Sequence, residues 1–348
     1  MPIRQTACVF ALLTSAALLS TPVEAREKVD VIYVKNGDRV TGEIISLEYG
    51  ELSVKTDSLG TLSIEWPDVT SIESRQGFIL EDLHGGRYYG TLATDVSAKR
   101  LTIAEEGGVP AQLALLDVTR ISPGEATFLS RLQGSFSVGF DYTKSSDITT
   151  ISGAMDLSYR APAFAWALSA DVNTTKDPNQ GTLDRDTLSY SYQWLRPNRR
   201  FWAGLTSLER NEETGIEARW TLGGGLGMYF VQTPRSELSG VIGLAATKEW
   251  ATGEETSQES LEGLLGGTWR IFKFNTPKVS LNASLVVYPS ITESGRYRTT
   301  GNLSLRREIV SDFYLDLSLY QSYDSHPPDA TAEKDDYGIT TSLGYSFY

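Results

Sequence analysis

Few side chains in this chain are equipped to do chemistry. Its only histidines are His84 and His326, and its only cysteine is Cys8. Hydrolysis by a serine nucleophile needs a histidine base and an orienting polar group beside it. His84 falls in the turn Leu83-His84-Gly85-Gly86, and His326 in a polar stretch before Pro327-Pro328. Neither position brings a nucleophile and a base together, so an enzyme is not expected and a hydrolase is the least favoured function. Asp324, His326, Asp329, Glu333, Asp335 and Asp336 crowd one segment. Oxygen-rich clusters can hold Ca²⁺ or Mg²⁺, but this spacing matches no defined calcium loop. A solvated acidic loop is the preferred reading, with no metal and no cofactor. The run Gly223-Gly224-Gly225-Leu226-Gly227 looks like a nucleotide turn, yet it lies inside an alternating apolar stretch and opens no helix. A bent or closely packed strand is the better account.

The elements around these residues are almost all short and two-faced. Leu132, Gly134, Phe136, Val138, Phe140 and Tyr142 alternate with Gln133, Ser135, Ser137, Gly139 and Asp141. Successive side chains of a strand point to opposite faces, so this segment has one apolar and one polar side. Eleven further segments repeat the pattern up to the C-terminus, among them Phe164-Trp166-Leu168-Ala170-Val172, Trp220-Leu222-Gly224-Leu226-Met228-Phe230 and Tyr337-Ile339-Leu343-Tyr345-Phe347. A closed antiparallel barrel in lipid is written this way, apolar outside and polar within. The expected fold is all-β, with a barrel of about twelve strands over 132–348, ten or fourteen staying open because Pro289 to Gly295 blurs one boundary. Only the strand near Phe201 to Leu208 leaves its outward face open.

The charges fall on the faces opposite the apolar sets: Asp141, Asp156, Asp171, Arg219, Glu262, Arg298, Arg306 and Asp316. A lipid-facing Arg or Lys at mid-membrane costs roughly 2–4 kcal/mol, whereas a lumen position tolerates charge. These eight are therefore the expected lumen charges, either paired to plug the barrel or lining a water path. Connections alternate. Short basic ones (Arg160-Ala161-Pro162, Arg196 to Arg200, Thr233-Pro234-Arg235, Asn275 to Lys278, Arg306-Arg307) belong on the periplasmic side. Longer acidic ones (177–186, 209–217, 249–259, 324–336) face outward. Leu343, Tyr345, Phe347 and Tyr348 form the expected C-terminal barrel-assembly signal.

The N-terminus combines Arg4, an apolar run from Cys8 to Leu19, and small residues at Val23 and Ala25. Residues 1–25 read as a secretory signal. Cys8 is discarded with it and lacks the setting of a lipidated cysteine, so no disulfide or thiol chemistry follows. Residues 26–122 carry an internal repeat. Gly37-Asp38-Arg39-Val40-Thr41-Gly42, Leu52-Ser53-Val54 and Val69-Thr70-Ser71-Ile72 recur as Gly85-Gly86-Arg87-Tyr88-Tyr89-Gly90, Leu101-Thr102-Ile103 and Val118-Thr119-Arg120-Ile121. Short strands with glycine turns at this spacing predict two small Sm/SH3-like β-barrels, 26–74 and 75–122, in the periplasm, followed by a linker over 123–131. The net charge is −13, and residues 26–122 hold ten Lys/Arg against sixteen Asp/Glu. That balance excludes nucleic acid, whose phosphates demand basic surface.

Phe201-Trp202-Ala203-Gly204-Leu205, the stretch Leu222 to Tyr229 and the closing Leu343-Gly344-Tyr345-Ser346-Phe347 resemble the salt-induced outer membrane proteins, catalogued as domain of unknown function DUF481. The resemblance covers most of residues 130–348, and Val34 to Gly42 resembles a leading segment of that family. It implies a barrel and a link to osmotic stress, and supplies no catalytic residues. Tyr348 departs from the pattern, since the in-phase aromatic is Phe347. The expected function is a narrow passive pore for ions or small solutes linked to osmotic or salt response. The alternative is a closed barrel that anchors the repeats for docking. Expected partners are outer-membrane lipid and lipopolysaccharide, the barrel-assembly machinery, and a periplasmic protein for the repeats.

Overall fold

The computed structural model describes residues 28–348 except 98, 105–108, 125–127, 129–131, 144–146, 179–180, 254–255, 274–277, 311, 328–332 and 348. The expected signal segment 1–25 with Cys8, most of the linker 123–131, Asp329 and Tyr348 lie outside the described residues. Among the described residues no helix is long and apolar enough to cross a membrane.

Twelve antiparallel strands close into one barrel. They are β10 (Leu132–Thr143), β11 (Ile148–Arg160), β12 (Phe164–Asp177), β13 (Gly181–Leu195), β14 (Arg200–Asn211), β15 (Ile216–Thr233), β16 (Ser236–Ala251), β17 (Ser257–Lys273), β18 (Val279–Pro289), β19 (Tyr297–Val310), β20 (Phe313–Asp324) and β21 (Asp335–Phe347). Closure comes from β10 against β21, with Phe136 opposite Tyr345 and Val138 opposite Leu343. A closed sheet leaves no unpaired backbone edge, the one condition under which strands can cross hydrocarbon.

The apolar sets turn outward: Val138 is 62% exposed, Ile242 63% and Ile339 67%. They have no protein neighbour to cover them, so lipid must. The band has clear edges. Toward the end away from the small domain the outward positions become charged, with Arg210 3.4 Å from Asp184 and Lys248 2.9 Å from Glu259. Toward the other end they reach Trp194, Arg196 and Arg200. Between Asp186 and Arg196 the strand runs about ten residues, roughly 34 Å, which a tilt of about 40° projects to about 26 Å. The outward apolar band of outer-membrane barrels is about 25 Å tall. Stacked rings mark its lower edge: Tyr159 against Phe164 at 5.7 Å and Phe164 against Tyr192 at 5.7 Å.

The ambiguous strand resolves. In β14 Trp202 and Leu208 face out, while Phe201 is buried inside with Leu195 and Tyr229. Sequence could not choose because both faces of β14 are apolar near its start. Two expectations about connections are corrected. Arg306 and Arg307 lie within β19, not in a turn. The outer connections are tighter than expected, since β13 begins at Gly181 and β14 continues to Asn211.

The N-terminal half holds β1 (Asp30–Val34), β2 (Arg39–Glu48), β3 (Glu51–Lys55), β4 (Thr61–Glu65), β5 (Val69–Asp82), β6 (Arg87–Asp95), β7 (Arg100–Ala104), β8 (Ala111–Ala114) and β9 (Val118–Pro123). The repeat is visible: single-turn 3-10 helices, Trp66–Asp68 and Leu115–Asp117, precede β5 and β9 alike. The two copies are nevertheless one body. β5 runs straight through the boundary expected at 74/75, and its second half does for β6 and β9 what β1 does for β2 and β5. β1, β2, β9 and β5 thereby form a four-stranded ring. A single core joins Ile32, Ile44 and Trp66 of the first copy to Leu92, Leu101 and Ile121 of the second. The Trp66 indole N–H donates to the Leu115 carbonyl across the pseudo-repeat at 2.7 Å. Fewer than fifty residues bury too little apolar surface to stand alone, so fusion through a shared strand is the stable solution.

Candidate functional site: the lumen and its covered mouth

Asp141, Asp156, Asp171, Arg219, Glu262, Arg298, Arg306 and Asp316 all occupy inward positions of their strands, but they fall into two environments. On the β15–β19 side the charges are buried and paired. Glu262 is 0% exposed and Arg298 5%. Arg298 Nε lies 2.9 Å from Glu262 Oε1, and its Nη2 donates to Thr247 Oγ1 at 3.1 Å. Thr247 Oγ1 donates onward to Glu262 Oε2 at 2.9 Å. Arg219 bonds Glu249 and lies 3.1 Å from Asp324 and 3.3 Å from Glu209. Arg296 joins the same cluster, 2.7 Å from Asp324 and 3.0 Å from Glu249. Opposite charges this close, shielded from water, hold each other rigidly and narrow the lumen from one wall.

On the opposite wall, Asp156 of β11 and Ala167 and Asp171 of β12 face inward and are exposed. Asn282 of β18 and Asn302 of β19, on the ion-paired side itself, are further exposed inward positions. Ser135 Oγ donates to Asp156 at 3.2 Å, and Asp316 accepts from Ser304 at 2.7 Å and pairs with Arg306 at 3.4 Å. Asp171 has no ion pair among the described residues. A strip of the lumen therefore carries exposed carboxylates across from a wall of locked ion pairs.

In the acidic segment near His326, two carboxylates turn to basic and amide partners on the lumen wall. Asp324 turns inward to Arg219 and Arg296, whereas Asp336 turns inward to Asn211 Nδ2 at 3.0 Å and Arg185 at 3.5 Å. The preferred reading as a solvated loop is corrected for these two residues: both are buried. His326 bonds only locally, with Nδ1 3.0 Å from Ser325 Oγ. No metal-holding group of His, Cys, Asp and Glu occurs among the described residues. His84 stays in its turn, its backbone N–H donating to Asp82 at 2.8 Å. The glycine run lies within β15, where Gly225 faces Gly243 across the pair with β16. A Cβ on Gly243 would come within 2.1 Å of the Gly224 carbonyl oxygen, so close strand approach accounts for these glycines. At the C-terminus Leu343 and Phe347 face outward, and the Tyr345 ring packs on Phe313 at 5.2 Å.

The larger surprise is at the other end. The small domain sits on the barrel's short-turn mouth, and its acidic surplus meets those basic turns. Arg120 of β9 reaches Glu237 at the start of β16 at 2.7 Å. Glu81 lies 3.5 Å from Arg160 and 4.0 Å from Arg120. Arg270 approaches Glu237 at 3.7 Å and donates to the Tyr49 hydroxyl at 3.2 Å. Lys278 pairs with Glu51 at 2.8 Å, and Gln133 donates to Glu48 at 2.9 Å. Tyr49 also packs on Phe272, centroids 4.4 Å apart. Burial alone would raise the Glu81 carboxyl, but the guanidinium groups of Arg160, Arg120 and Arg87 outweigh it and hold Glu81 below the usual carboxylate value. Beneath this lid a cavity of about 180 Å³ is bounded by Glu48, Tyr49, Arg160, Tyr229, Glu237 and Arg270.

Local structure explains the fit. Glu48 pairs with Glu51 across a two-residue turn, and both turn residues are left-handed, Tyr49 at φ 52° and Gly50 at φ 79°. Such a turn drives the Tyr49 ring outward from the strand ends into the mouth. Gly50 abuts the β15–β16 turn so closely that a Cβ would stand 2.5 Å from the Pro234 carbonyl oxygen. Gly50→Ala is expected to strain the turn and loosen the lid, read as faster proteolysis of the small domain with an intact barrel. An unchanged digestion rate would show that this contact does not hold the lid. Sequence reasoning missed Glu237, Glu249, Arg296 and the lid residues Tyr49, Glu81 and Arg120. Glu237 and Glu249 were legible in principle, as inward-phase charges of β16. The lid was not, because its partners lie far away in the sequence, 85 residues for Glu48 and Gln133 and 227 for Glu51 and Lys278.

The sequence profile described as "Protein of unknown function, DUF481" matches residues 137–347. No curated protein matches the sequence. Solved structures that resemble it are barrels. The NanC porin shares 9% identity at a TM-score of 0.37 and covers 62% of this chain and 99% of its own. The translocator domain of the autotransporter NalP from Neisseria meningitidis shares 14% at 0.36, covering 62% and 87%. An outer membrane channel from Pseudomonas putida F1 shares 9% at 0.35, covering 62% and 94%.

Proposed function

Because the chain belongs to the DUF481 family, whose description carries no activity, we propose from the geometry that it is a narrow, cation-favouring channel of the outer membrane with a lid on its periplasmic mouth. The observation that carries this is that Asp156 and Asp171 stay exposed on the inward face of β11 and β12, across from the buried ion pairs of β15 to β19, where Asn282 and Asn302 also stay exposed. A lumen filled only by paired charges would leave no such exposed carboxylates. Rings or strips of carboxylates favour cations over anions. The link to salt follows from the lid, whose contacts are largely ionic: its half-exposed pairs, such as Lys278–Glu51, weaken as ionic strength rises.

Planar-bilayer recording of the purified full chain tests the proposal. Small cation-selective steps are expected, and Asp171→Lys should lower the cation-to-anion permeability ratio several-fold. Steps absent in every salt would remove the pore, and an unchanged ratio would remove the role of this strip.

A second reading has its own observation, the lid itself. A closed barrel that anchors the small domain at the membrane needs the same ionic seat. In that case in-cell crosslinking from the exposed face of β6 to β8 captures a reproducible periplasmic protein, and the bilayer stays silent.

A further inference from the structure

The lipid-facing wall is not smooth. Across β14 to β18 one row of outward positions reads Arg200, Met228, Gly240, Gly267, Leu285, each opposite the next in register. Two neighbouring strands thus lack side chains at the same level. The Phe230 ring leans over Gly240, where a Cβ would stand 2.8 Å from it. With neighbouring strands about 4.8 Å apart, the open part of the gap lies over Gly267, between Phe230 and Leu285. A groove of about 1080 Å³ results, apolar along its length, with Arg196 and Arg200 at its periplasmic rim. Neither guanidinium has a carboxylate partner within 4 Å among the described residues. Arg196 instead lies 4.3 Å above the Trp194 ring, which fixes its charge at the edge of the apolar band.

We propose that this groove is a binding site for an anionic phospholipid of the periplasmic leaflet, its acyl chain lying over Gly267 beside the Phe230 ring and its phosphate between Arg196 and Arg200. Charge selects the occupant. A second copy of the chain packed on this face would bring two more guanidinium groups to a low-dielectric rim without a counter-charge, whereas a lipid phosphate supplies that counter-charge. A hydrocarbon chain fills a groove that no water can usefully fill. The assignment to the periplasmic leaflet follows from the rim, which lies at the short-turn end of the barrel beside the small domain.

The test uses the purified full chain in nanodiscs of phosphatidylcholine doped with phosphatidylglycerol, with bound lipid read by native mass spectrometry. Phosphatidylglycerol should be retained at least tenfold over phosphatidylcholine. The double variant Arg196→Gln, Arg200→Gln should abolish that preference. Gly267→Leu should displace lipid of both kinds while the barrel still folds, since a Cβ there meets nothing closer than 4.0 Å; heat-modifiable gel migration reports folding. Equal retention of the two lipids, or a preference surviving the double variant, overturns the site. Equal competition by lipopolysaccharide overturns the leaflet, and a dimer dispersed by Gly267→Leu overturns the lipid in favour of a second copy.

Discussion

Leu303→Arg is expected to block insertion into lipid vesicles, while Asn302→Arg folds at close to the parent yield. The two residues are neighbours in the middle of β19 and differ only in which way they point. Leu303 faces outward opposite Leu319 on β20, within the apolar band. A guanidinium there sits near the membrane midplane, at a cost of roughly 2–4 kcal/mol. That is about 30- to 800-fold in the folding equilibrium at ~1.4 kcal/mol per tenfold, enough to lose a barrel of ordinary stability when insertion is already slow. Asn302 is an exposed inward position of the lumen, where an added cation keeps its water. Folding yield by heat-modifiable migration is the measurement. Equal yields for the two variants would mean that lipid does not cover the face assigned to it.

The second large effect concerns the lid. Arg120→Ala removes the centre of the mouth network and leaves Glu237 with only the longer contact to Arg270 at 3.7 Å. Breaking a buried ion pair from one side costs about 3–5 kcal/mol, and the remaining Arg270 contact argues for the lower end of that range. The small domain should lift from the mouth without unfolding, because Arg120 contributes nothing to the core built on Ile32, Trp66 and Leu101. Protection of Tyr49 and its neighbours from hydrogen exchange should fall, and conductance should rise if the pore reading holds. A double-mutant cycle with Glu237→Gln separates lid contact from general damage. Coupling above about 1.5 kcal/mol supports direct pairing, and coupling near zero refutes it.

Acid should act on the same seat in a defined direction. The Glu81 carboxyl is held below its ordinary value in the docked state. Its contribution is therefore present above the ordinary carboxylate range and is lost only as pH falls through the depressed value. The lid should stay closed through mildly acidic conditions and open in stronger acid. Opening at about pH 6, where no ordinary carboxylate titrates, would point to some other group.

The membrane half of this protein was written almost residue by residue in its sequence. Alternation with period two decided the strands, because a one-residue slip in register would expose every polar side chain to lipid. Strand count, closure and the inward phase of Asp171, Glu262 and Arg298 followed from that constraint alone. The repeat near Gly37 and Gly85 was equally legible, since each copy must use the same turns and core positions. What the sequence could not show was anything that depends on where distant surfaces meet. Fusion of the two copies through β5, the burial of Asp324 and Asp336 and the pairing of Arg120 with Glu237 are all of this kind. So is the dent beside Arg200. Local pattern reports the preference of a side chain for oil or water. Which opposite charge neutralises a buried one, and which glycines line up on neighbouring strands, is settled only when closure of the barrel brings residues distant in sequence within a few ångströms.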